Sequence, residues 1–276
     1  MALLQVNFFS TALKRTVPMT VILPVDKTMA GNRGCQSAPC FKTLYLLHGL
    51  LGDYTDWVIN TRIRQWAEAR NLAVVMPSGD NSFYVDQITP NNRYGDFIGR
   101  ELVELTRKMF PLSHKREDTF IAGLSMGGFG AIRNGLVHVE TFGYIAGFSS
   151  AIHFFEMPAN TPGRSLMGEE GVFGDLQQAS LTDKNPRVAL KQAMERNAPI
   201  PKIYMSCGLQ DSLLPANRSF RDFLTANGID LTYEETEGDH NWDFWNDQIH
   251  KVLDWLPLEE SKEGLSSGNV SANGKP

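Results

Sequence analysis

A short motif in the middle of the chain could hold a reactive serine. Gly123-Leu124-Ser125-Met126-Gly127 follows the apolar run 119–122 and precedes a predicted helix over residues 129–136. Glycines on both sides of a serine permit a sharp strand-to-helix turn, because larger side chains would collide with the strand and the helix. The exposed hydroxyl could attack a carbonyl carbon once a base accepts its proton. A chain of this length contains the pattern by accident about one time in ten, so the motif alone predicts only a glycine-rich turn.

A base and an acid follow the serine in an order that suits this chemistry. Asp211 and His240 each come directly after a predicted strand. Functional side chains collect at the carboxyl ends of strands in open α/β sheets. We therefore predict that Ser125 is the nucleophile, that His240 is the base and that Asp211 orients His240. Asp239 is the alternative acid, although a side chain adjacent to His240 would reach a nitrogen of its ring with difficulty.

Two backbone N–H groups are predicted to stabilise the oxyanion of a tetrahedral intermediate. One is the N–H of Met126, directly after the nucleophile at the start of its helix. The other is expected from the turn His48-Gly49-Leu50-Leu51-Gly52, which follows the predicted strand 43–47. The N–H of Leu50 is the first choice and that of Leu51 the second. The alternative is that the glycines only turn the chain.

The other histidines are predicted to have different roles. His114, His138 and His250 fall in helices or polar connections and are expected to be structural or solvated. His48 precedes a glycine-rich turn and is expected to anchor that turn by hydrogen bonds. His153 opens a segment of irregular pattern and is a candidate for the wall of a pocket.

The hydrophobic patterns predict an α/β protein with a mainly parallel eight-stranded sheet and helices on both faces. Two alternating stretches near the N-terminus indicate antiparallel edge strands, and the later apolar runs alternate with helices. A single domain over residues 1–257 is expected, with a small inserted cap over about 151–197 and a disordered tail over 258–276. The predicted strands are 4–9, 16–23, 43–47, 72–76, 119–122, 144–148, 203–207 and 231–235, and the predicted helices are 55–70, 96–110, 129–136, 186–196, 216–227 and 242–256.

Composition narrows the class of protein. The chain has 276 residues, a net charge of −5 and no run rich in Lys or Arg, so we expect no nucleic-acid partner. The N-terminus lacks the features of a signal peptide, and no apolar stretch approaches the length of a membrane span, so a cytoplasmic protein is expected. The odd number of cysteines favours reduced thiols, although Cys35 and Cys40 could pair, with Cys207 left over. No metal-binding motif is present, and we expect no metal and no cofactor.

Five motifs in order carry a resemblance to a known family. They are Leu47-His48-Gly49-Leu50-Leu51-Gly52 with Asp56-Trp57, the stretch 76–84, the stretch 123–128, Gly208-Leu209-Gln210-Asp211 and Asp239-His240-Asn241-Trp242. Over residues 5–257 or so, the chain resembles the esterase D branch of the α/β-hydrolases. That branch includes tributyrin, feruloyl and acetyl-xylan esterases, S-formylglutathione hydrolases and mycolyltransferases.

The resemblance implies the α/β-hydrolase fold and a function. It implies a catalytic triad of Ser125, Asp211 and His240, with Leu50 and Met126 as oxyanion donors. The chain is most similar to short-chain bacterial esterases, because formylglutathione hydrolases usually have a cysteine-containing turn at the position of Leu51-Gly52. We expect a serine carboxylesterase for acetyl to butyryl esters, acting on a small molecule such as an acetylated sugar or an aryl ester.

Several features of the substrate site are left open. The predicted pocket residues are Trp57, Asp80, Tyr84, His153 and Trp245, with core packing as the alternative for the two tryptophans. A cap without a long apolar helix favours an open site and small acyl groups. A thioesterase or an acyltransferase could use the same triad, and a non-catalytic binding module on the same fold is a remote alternative. A homo-oligomer is also left open by the sequence.

Overall fold

The computed structural model describes residues 1–26, 40–156 and 169–260, and within them the chain forms one eight-stranded sheet. The strands lie in the order β1-β2-β4-β3-β5-β6-β7-β8. The pairs β1/β2 and β2/β4 are antiparallel, and every other neighbouring pair is parallel, which confirms the predicted mainly parallel sheet. The strands are β1 (Ala2–Ser10), β2 (Arg15–Leu23), β3 (Thr43–Leu47), β4 (Ala73–Pro77), β5 (Thr119–Leu124), β6 (Tyr144–Phe148), β7 (Lys202–Gly208) and β8 (Leu231–Thr236).

The central strands are buried on both faces, as their continuous apolar runs predict. All residues of β3, β4 and β5 are buried. Alternate side chains of β3 enter two different cores: Tyr45 packs in one with Phe129, and Leu46 packs in the other with Trp57. Strand side chains point alternately to the two faces of a sheet, so helices cover both faces.

Two helices in the first half of the chain that were predicted to be continuous are interrupted. The expected helix over 55–70 is two helices, α1 (Asp56–Asn60) and α2 (Ile63–Ala69). The hydroxyl of Thr61 bonds to the Trp57 carbonyl and accepts from the Ile63 N–H at 3.2 Å, so its side chain competes with the helical backbone bonds. The expected helix over 96–110 consists of α3 (Tyr94–Asp96), a π-helical turn (Phe97–Glu101) and α4 (Leu102–Met109).

The remaining helices follow the sheet in chain order. A 3₁₀ turn spans Arg116–Asp118, and the later helices are α5 (Met126–Val137), α6 (His153–Glu156), α7 (Glu169–Phe173), α8 (Leu176–Ala179), α9 (Pro186–Glu195), α10 (Leu214–Ala226) and α11 (Trp242–Trp255). The segment predicted as a cap therefore holds four short helices, apart from residues 157–168. The described residues do not include that stretch or the tail from residue 261 onward. They also do not include Cys35, so its possible pairing with Cys40 lies outside them. None of the helices in the described ranges is long and apolar enough to cross a membrane.

Candidate active site

Ser125 occupies a strained turn between β5 and α5. Its backbone has φ 51° and ψ −116°, a conformation that residues other than glycine rarely adopt. The Ser125 N–H donates to the Phe148 carbonyl at 2.8 Å, which ties the turn to β6. A Cβ atom at Gly127 would lie 2.5 Å from the carbonyl oxygens of both Leu47 and His48, so only glycine fits there. The turn is therefore the sharp strand-to-helix turn that the motif predicts.

The three side chains predicted to act together lie in hydrogen-bonding contact. His240 Nε2 is 3.0 Å from Ser125 Oγ, and His240 Nδ1 is 2.9 Å from Asp211 Oδ2. A carboxylate only accepts hydrogen bonds, so Nδ1 carries the proton and Nε2 is left to accept from the serine hydroxyl. The alternative acid, Asp239, instead accepts from the backbone N–H of His240 at 2.7 Å. Asp239 thus contacts the main chain of His240, and Asp211 contacts the His240 ring.

Asp211 is fully buried and held by several donors. Its side chain has no exposed surface, and its Oδ1 accepts from the Leu213 N–H at 2.8 Å. Burial raises the pKa of the Asp211 carboxyl, but its hydrogen bond to His240 and the other donors outweigh burial and hold that pKa below its ordinary value. The group is therefore a carboxylate at neutral pH, as the orientation of His240 requires.

The turn after β3 and the start of α5 border the same cavity. Leu50 and Met126 both line the cavity into which Ser125 opens. Met126 is the first residue of α5. At this end of a helix the backbone N–H groups have no helical acceptor, and the positive end of the helix dipole lies here. The N–H of Leu51 donates to Asn81 Oδ1 at 2.8 Å. This bond uses the second-choice donor and favours Leu50 as the partner of Met126.

His48 holds this turn by two hydrogen bonds, as its position predicts. Its Nε2 accepts from the Gly79 N–H at 2.8 Å, which places the ring proton on Nδ1. Nδ1 then donates to the Gly49 carbonyl at 2.7 Å. Burial lowers the pKa of His48 and keeps the ring neutral, so that it can accept on one side and donate on the other.

The cavity beside Ser125 has a volume of about 400 Å³ and a mostly apolar wall. Its polar side chains are those of Ser125, His240, His153, Ser212 and Asp56. Its apolar wall comes from Leu50, Phe83, Leu124, Met126, Ala151, Phe154, Leu213, Trp242 and Trp245. Two of the predicted pocket residues, His153 and Trp245, therefore line it.

Trp57 and Tyr84 do not line the cavity, so these two pocket predictions are wrong. Trp57 is only 1% exposed, and its indole N–H donates to the Leu47 carbonyl at 3.0 Å. Tyr84 has no exposed surface, and its hydroxyl donates to the His48 carbonyl at 3.0 Å. Both side chains donate to backbone carbonyls at the end of β3 and the start of the turn 48–52 instead of lining the cavity.

Asp80 is also absent from the cavity wall, which corrects the third pocket prediction. Its carboxylate accepts from the Tyr94 hydroxyl and forms an ion pair with Arg15. Burial raises the pKa of Asp80, but the bonds from Tyr94 and Arg15 outweigh burial and hold it below its usual range. These partners hold the carboxylate beside Arg15, at the start of β2.

Asp56 is a cavity residue that the sequence did not single out for this role. Its carboxylate lies in the apolar wall, and burial raises its pKa. The pair Asp56-Trp57 was visible as a motif, and the helix that starts at Asp56 turns the acid toward the cavity and the tryptophan toward the core. Trp242 was similarly visible two residues after His240, and its ring contacts those of Trp57 and Trp245 edge to face.

A serine on a strained strand-to-helix turn, with a histidine and a buried carboxylate from later strand ends of a mainly parallel sheet, defines a serine hydrolase of the α/β-hydrolase fold. The chain belongs to the family described as "Putative esterase", whose model matches residues 10–256. An acetyl esterase from Caldicellulosiruptor saccharolyticus is 42% identical over 262 residues, which cover 93% of this chain and 98% of the relative.

Two solved structures from Staphylococcus aureus have the same architecture. FphF, a fluorophosphonate-binding serine hydrolase, superposes with a TM-score of 0.81 at 32% identity, over 92% of this chain and 98% of its own. The S-formylglutathione hydrolase FrmB superposes with a TM-score of 0.79 at 31% identity, again over 92% of this chain and 98% of its own.

Proposed function

We propose that this chain is a serine carboxylesterase that hydrolyses short acyl esters, acetyl to butyryl, through an acyl-enzyme. The observation that carries the proposal is the contact of 3.0 Å between Ser125 Oγ and His240 Nε2, at the mouth of an apolar cavity. The similarity to an acetyl esterase supports the same reaction class.

The proposed reaction has two halves that use the same side chains. Ser125 Oγ attacks the ester carbonyl carbon while His240 Nε2 accepts its proton, and the oxyanion receives hydrogen bonds from the Leu50 and Met126 N–H groups. His240 then returns the proton to the leaving alcohol as the C–O bond breaks, which leaves an acyl group on Ser125. In the second half, His240 takes a proton from water, the hydroxide attacks the acyl carbon, and Ser125 recovers its hydrogen as the acid departs.

The size of the cavity supports a short acyl group. Its volume of about 400 Å³ is near the low end for small-molecule sites and must hold both sides of the ester. Aromatic rings from α11, those of Trp242 and Trp245, occupy one wall close to His240. A long acyl chain would have to displace these rings, whereas an acetyl or butyryl group would not.

The charge of the cavity supports a neutral leaving group. Asp56 contributes a carboxylate to the wall, and the described residues that line the cavity include no lysine or arginine. An acetylated sugar or an aryl ester releases a neutral alcohol. A glutathione thiol carries two carboxylates, which Asp56 would repel. A thioesterase of the formylglutathione class is nevertheless the second candidate, because FrmB is similar over nearly the whole chain.

A matched substrate panel tests the proposal. Wild-type protein and Ser125→Ala are assayed on p-nitrophenyl esters of two to eight acyl carbons, on acetylated oligosaccharides, and on S-formylglutathione, each with and without a sugar acceptor. We expect the highest kcat/KM with two to four acyl carbons, and loss of activity by about 10⁶-fold in Ser125→Ala. A preference for the thioester would favour the second candidate, and acyl transfer to the sugar would favour an acyltransferase. Absence of turnover on every substrate would support a binding module.

The remaining parts of the proposal concern the setting of the reaction. We infer a cytoplasmic enzyme that needs no metal or cofactor, because the serine, histidine and aspartate supply all the groups that the reaction uses. Activity that survives treatment with EDTA would support the absence of a metal. Cell fractionation of the tagged protein tests the cytoplasmic location. Size-exclusion chromatography with light scattering tests for the homo-oligomer that the sequence leaves open.

A further inference from the structure

Asn217 is a buried amide on the first turn of α10, with no exposed surface. Its Oδ1 accepts from the Ser150 N–H at 3.2 Å, and its Nδ2 donates to the Ser150 carbonyl at 3.0 Å and to the Leu213 carbonyl at 2.9 Å. Both hydrogens of the amide and its oxygen are therefore used. Exchanging the oxygen and nitrogen would set N–H against N–H and oxygen against two carbonyl oxygens, so the amide has one orientation.

The segment 148–151, at the end of β6, holds the backbone of the nucleophile. The Ser125 N–H donates to the Phe148 carbonyl at 2.8 Å, and the Ala151 N–H donates to the Ser125 carbonyl at 3.0 Å. Both backbone groups of the strained turn are therefore bonded to this segment. Ser150, the partner of the buried amide, lies between the two contacts in the chain.

Leu213, the other partner, belongs to the turn that carries the acid. Its N–H donates to Asp211 Oδ1 at 2.8 Å. Its carbonyl accepts from the Asn217 side chain and, at 3.1 Å, from the Asn217 backbone N–H. Asn217 therefore joins the segment that holds Ser125 to the turn that holds Asp211.

Strand pairing ends short of the point where the two turns meet. Strand β6 lies between β5, which ends directly before Ser125, and β7, which ends three residues before Asp211. The pairing of β6 with β7 ends at Phe148 and Ser206, followed by one bond from the Ser149 N–H to the Ser206 carbonyl at 2.8 Å. Beyond it, buried backbone groups need other partners, because leaving them without one is costly. The buried amide of α10 supplies such partners.

The separation of nucleophile and acid matters because one rigid ring spans it. His240 contacts Asp211 through Nδ1 at 2.9 Å and Ser125 through Nε2 at 3.0 Å. An imidazole cannot stretch, so both contacts form together only at a matching separation of the two partners. We propose that Asn217 is a positioning residue that sets this separation by joining the segment behind Ser125 to the turn of Asp211. The inference rests on the proposed function.

The position of Asn217 predicts an effect on turnover more than on binding. Asn217 is not among the residues that line the cavity, and its side chain bonds to backbone atoms. A displacement of reacting groups by about 1 Å can cost about 100-fold in rate. Asn217→Ala should therefore lower kcat by about 10-fold to 100-fold and leave KM nearly unchanged.

Asn134 of α5 offers a matched control. It also has no exposed surface, and its Nδ2 donates to the Gly130 carbonyl one turn back at 2.8 Å and to the Tyr84 carbonyl outside the helix at 2.9 Å. Its Oδ1 accepts from Arg133 at 2.8 Å. Replacement by alanine removes similar buried hydrogen bonds at either position, so the urea midpoint should fall by a similar amount. The bonds of Asn134 reach neither of the two turns that Asn217 joins.

A second variant, Asn217→Ser, separates the two ends of the connection. The new hydroxyl can donate to the Leu213 carbonyl one turn back, as serines in helices do. It is one bond shorter than the amide and does not reach Ser150. We expect Asn217→Ser to unfold at a higher urea concentration than Asn217→Ala, and to lose kcat by the same factor of about 10-fold to 100-fold.

The test measures steady-state hydrolysis of p-nitrophenyl acetate and unfolding in urea for the wild type and the three variants. We expect Asn134→Ala to keep wild-type kcat while both Asn217 variants lose it. Should Asn217→Ala fail to fold, Asn217→Ser carries the comparison.

Each other outcome overturns a stated part of the account. If Asn217→Ser keeps wild-type kcat, the bond to Ser150 is dispensable and the positioning role is wrong. If Asn134→Ala loses as much kcat as Asn217→Ala, the loss follows from stability alone and the positioning role is again wrong. In both cases the esterase proposal stands. If the wild-type protein hydrolyses no substrate of the panel, the esterase proposal fails and this inference fails with it.

Discussion

Replacing Asp211 with Asn tests how the acid controls the base. In the native site, the carboxylate lies 2.9 Å from His240 Nδ1 and accepts its hydrogen. The amide of Asn has nearly the same shape, but it can present its NH₂ group to Nδ1. The ring hydrogen then moves to Nε2, which lies 3.0 Å from Ser125 Oγ and can no longer accept the serine proton.

The expected loss is large in turnover and small in binding. An amide in place of the triad acid lowers kcat by about 10⁴-fold in a serine protease with the same constellation, which corresponds to about 5.5 kcal/mol of transition-state stabilisation. KM should change little, because Asp211 does not line the cavity. The Leu213 N–H can still donate to the amide oxygen at this position, so the turn after β7 should stay folded.

The assay is steady-state hydrolysis of p-nitrophenyl acetate, with thermal unfolding recorded for each variant. Asp239→Asn is the matched control, because its carboxylate contacts the backbone N–H of His240 and leaves the ring alone. We expect this control to stay within about tenfold of wild type. The reasoning is refuted if Asp211→Asn keeps more than about a tenth of wild-type kcat, or if Asp239→Asn loses as much as Asp211→Asn.

Three further perturbations have outcomes that the structure predicts. Gly127→Ala places a methyl group 2.5 Å from two carbonyl oxygens and should lower the free energy of unfolding in urea by about 1–3 kcal/mol, and an unchanged midpoint would contradict the packing described. Burial and the charge of Arg133 lower the pKa of His138 to about 4, so its contribution to stability is complete above about pH 6.5 and is lost as the pH falls through 4. The free energy of unfolding should therefore fall by about 3 kcal/mol less in His138→Gln than in wild type between pH 7 and pH 4. The same dependence on pH in both proteins would contradict this prediction. Asp56→Asn should raise kcat/KM for S-formylglutathione about fivefold relative to p-nitrophenyl acetate, and an unchanged ratio would remove the electrostatic argument for a neutral leaving group.

The chemistry of the site was predictable because it depends on local signals. A G-x-S-x-G turn needs its glycines for steric reasons that hold wherever the motif forms. Asp211 and His240 each follow an apolar run, and the carboxyl ends of parallel strands share one edge of the sheet. These constraints are sufficient to bring three side chains together without knowledge of the helices that pack around them.

The cavity wall was less predictable because it depends on backbone conformations that the sequence does not announce. Asp80, Phe83 and Tyr84 all have positive φ, between 45° and 55°. These turns direct Phe83 into the cavity and bury Tyr84 beside Gly130, whereas the sequence predicts Tyr84 as a pocket residue and does not single out Phe83. For Trp57 the sequence allows both the pocket and the core, and the structure places it in the core, where its indole N–H donates to the Leu47 carbonyl.

Covalent labelling tests the central claim most directly. A fluorophosphonate is incubated with the wild-type protein, with Asp211→Asn and with Ser125→Ala, and the modified peptide is located by mass spectrometry. We predict one phosphonyl group per wild-type chain on Ser125, much slower labelling of Asp211→Asn and none of Ser125→Ala. Wild-type protein that stays unlabelled, or that labels at another residue, would contradict the assignment of Ser125 as the activated nucleophile.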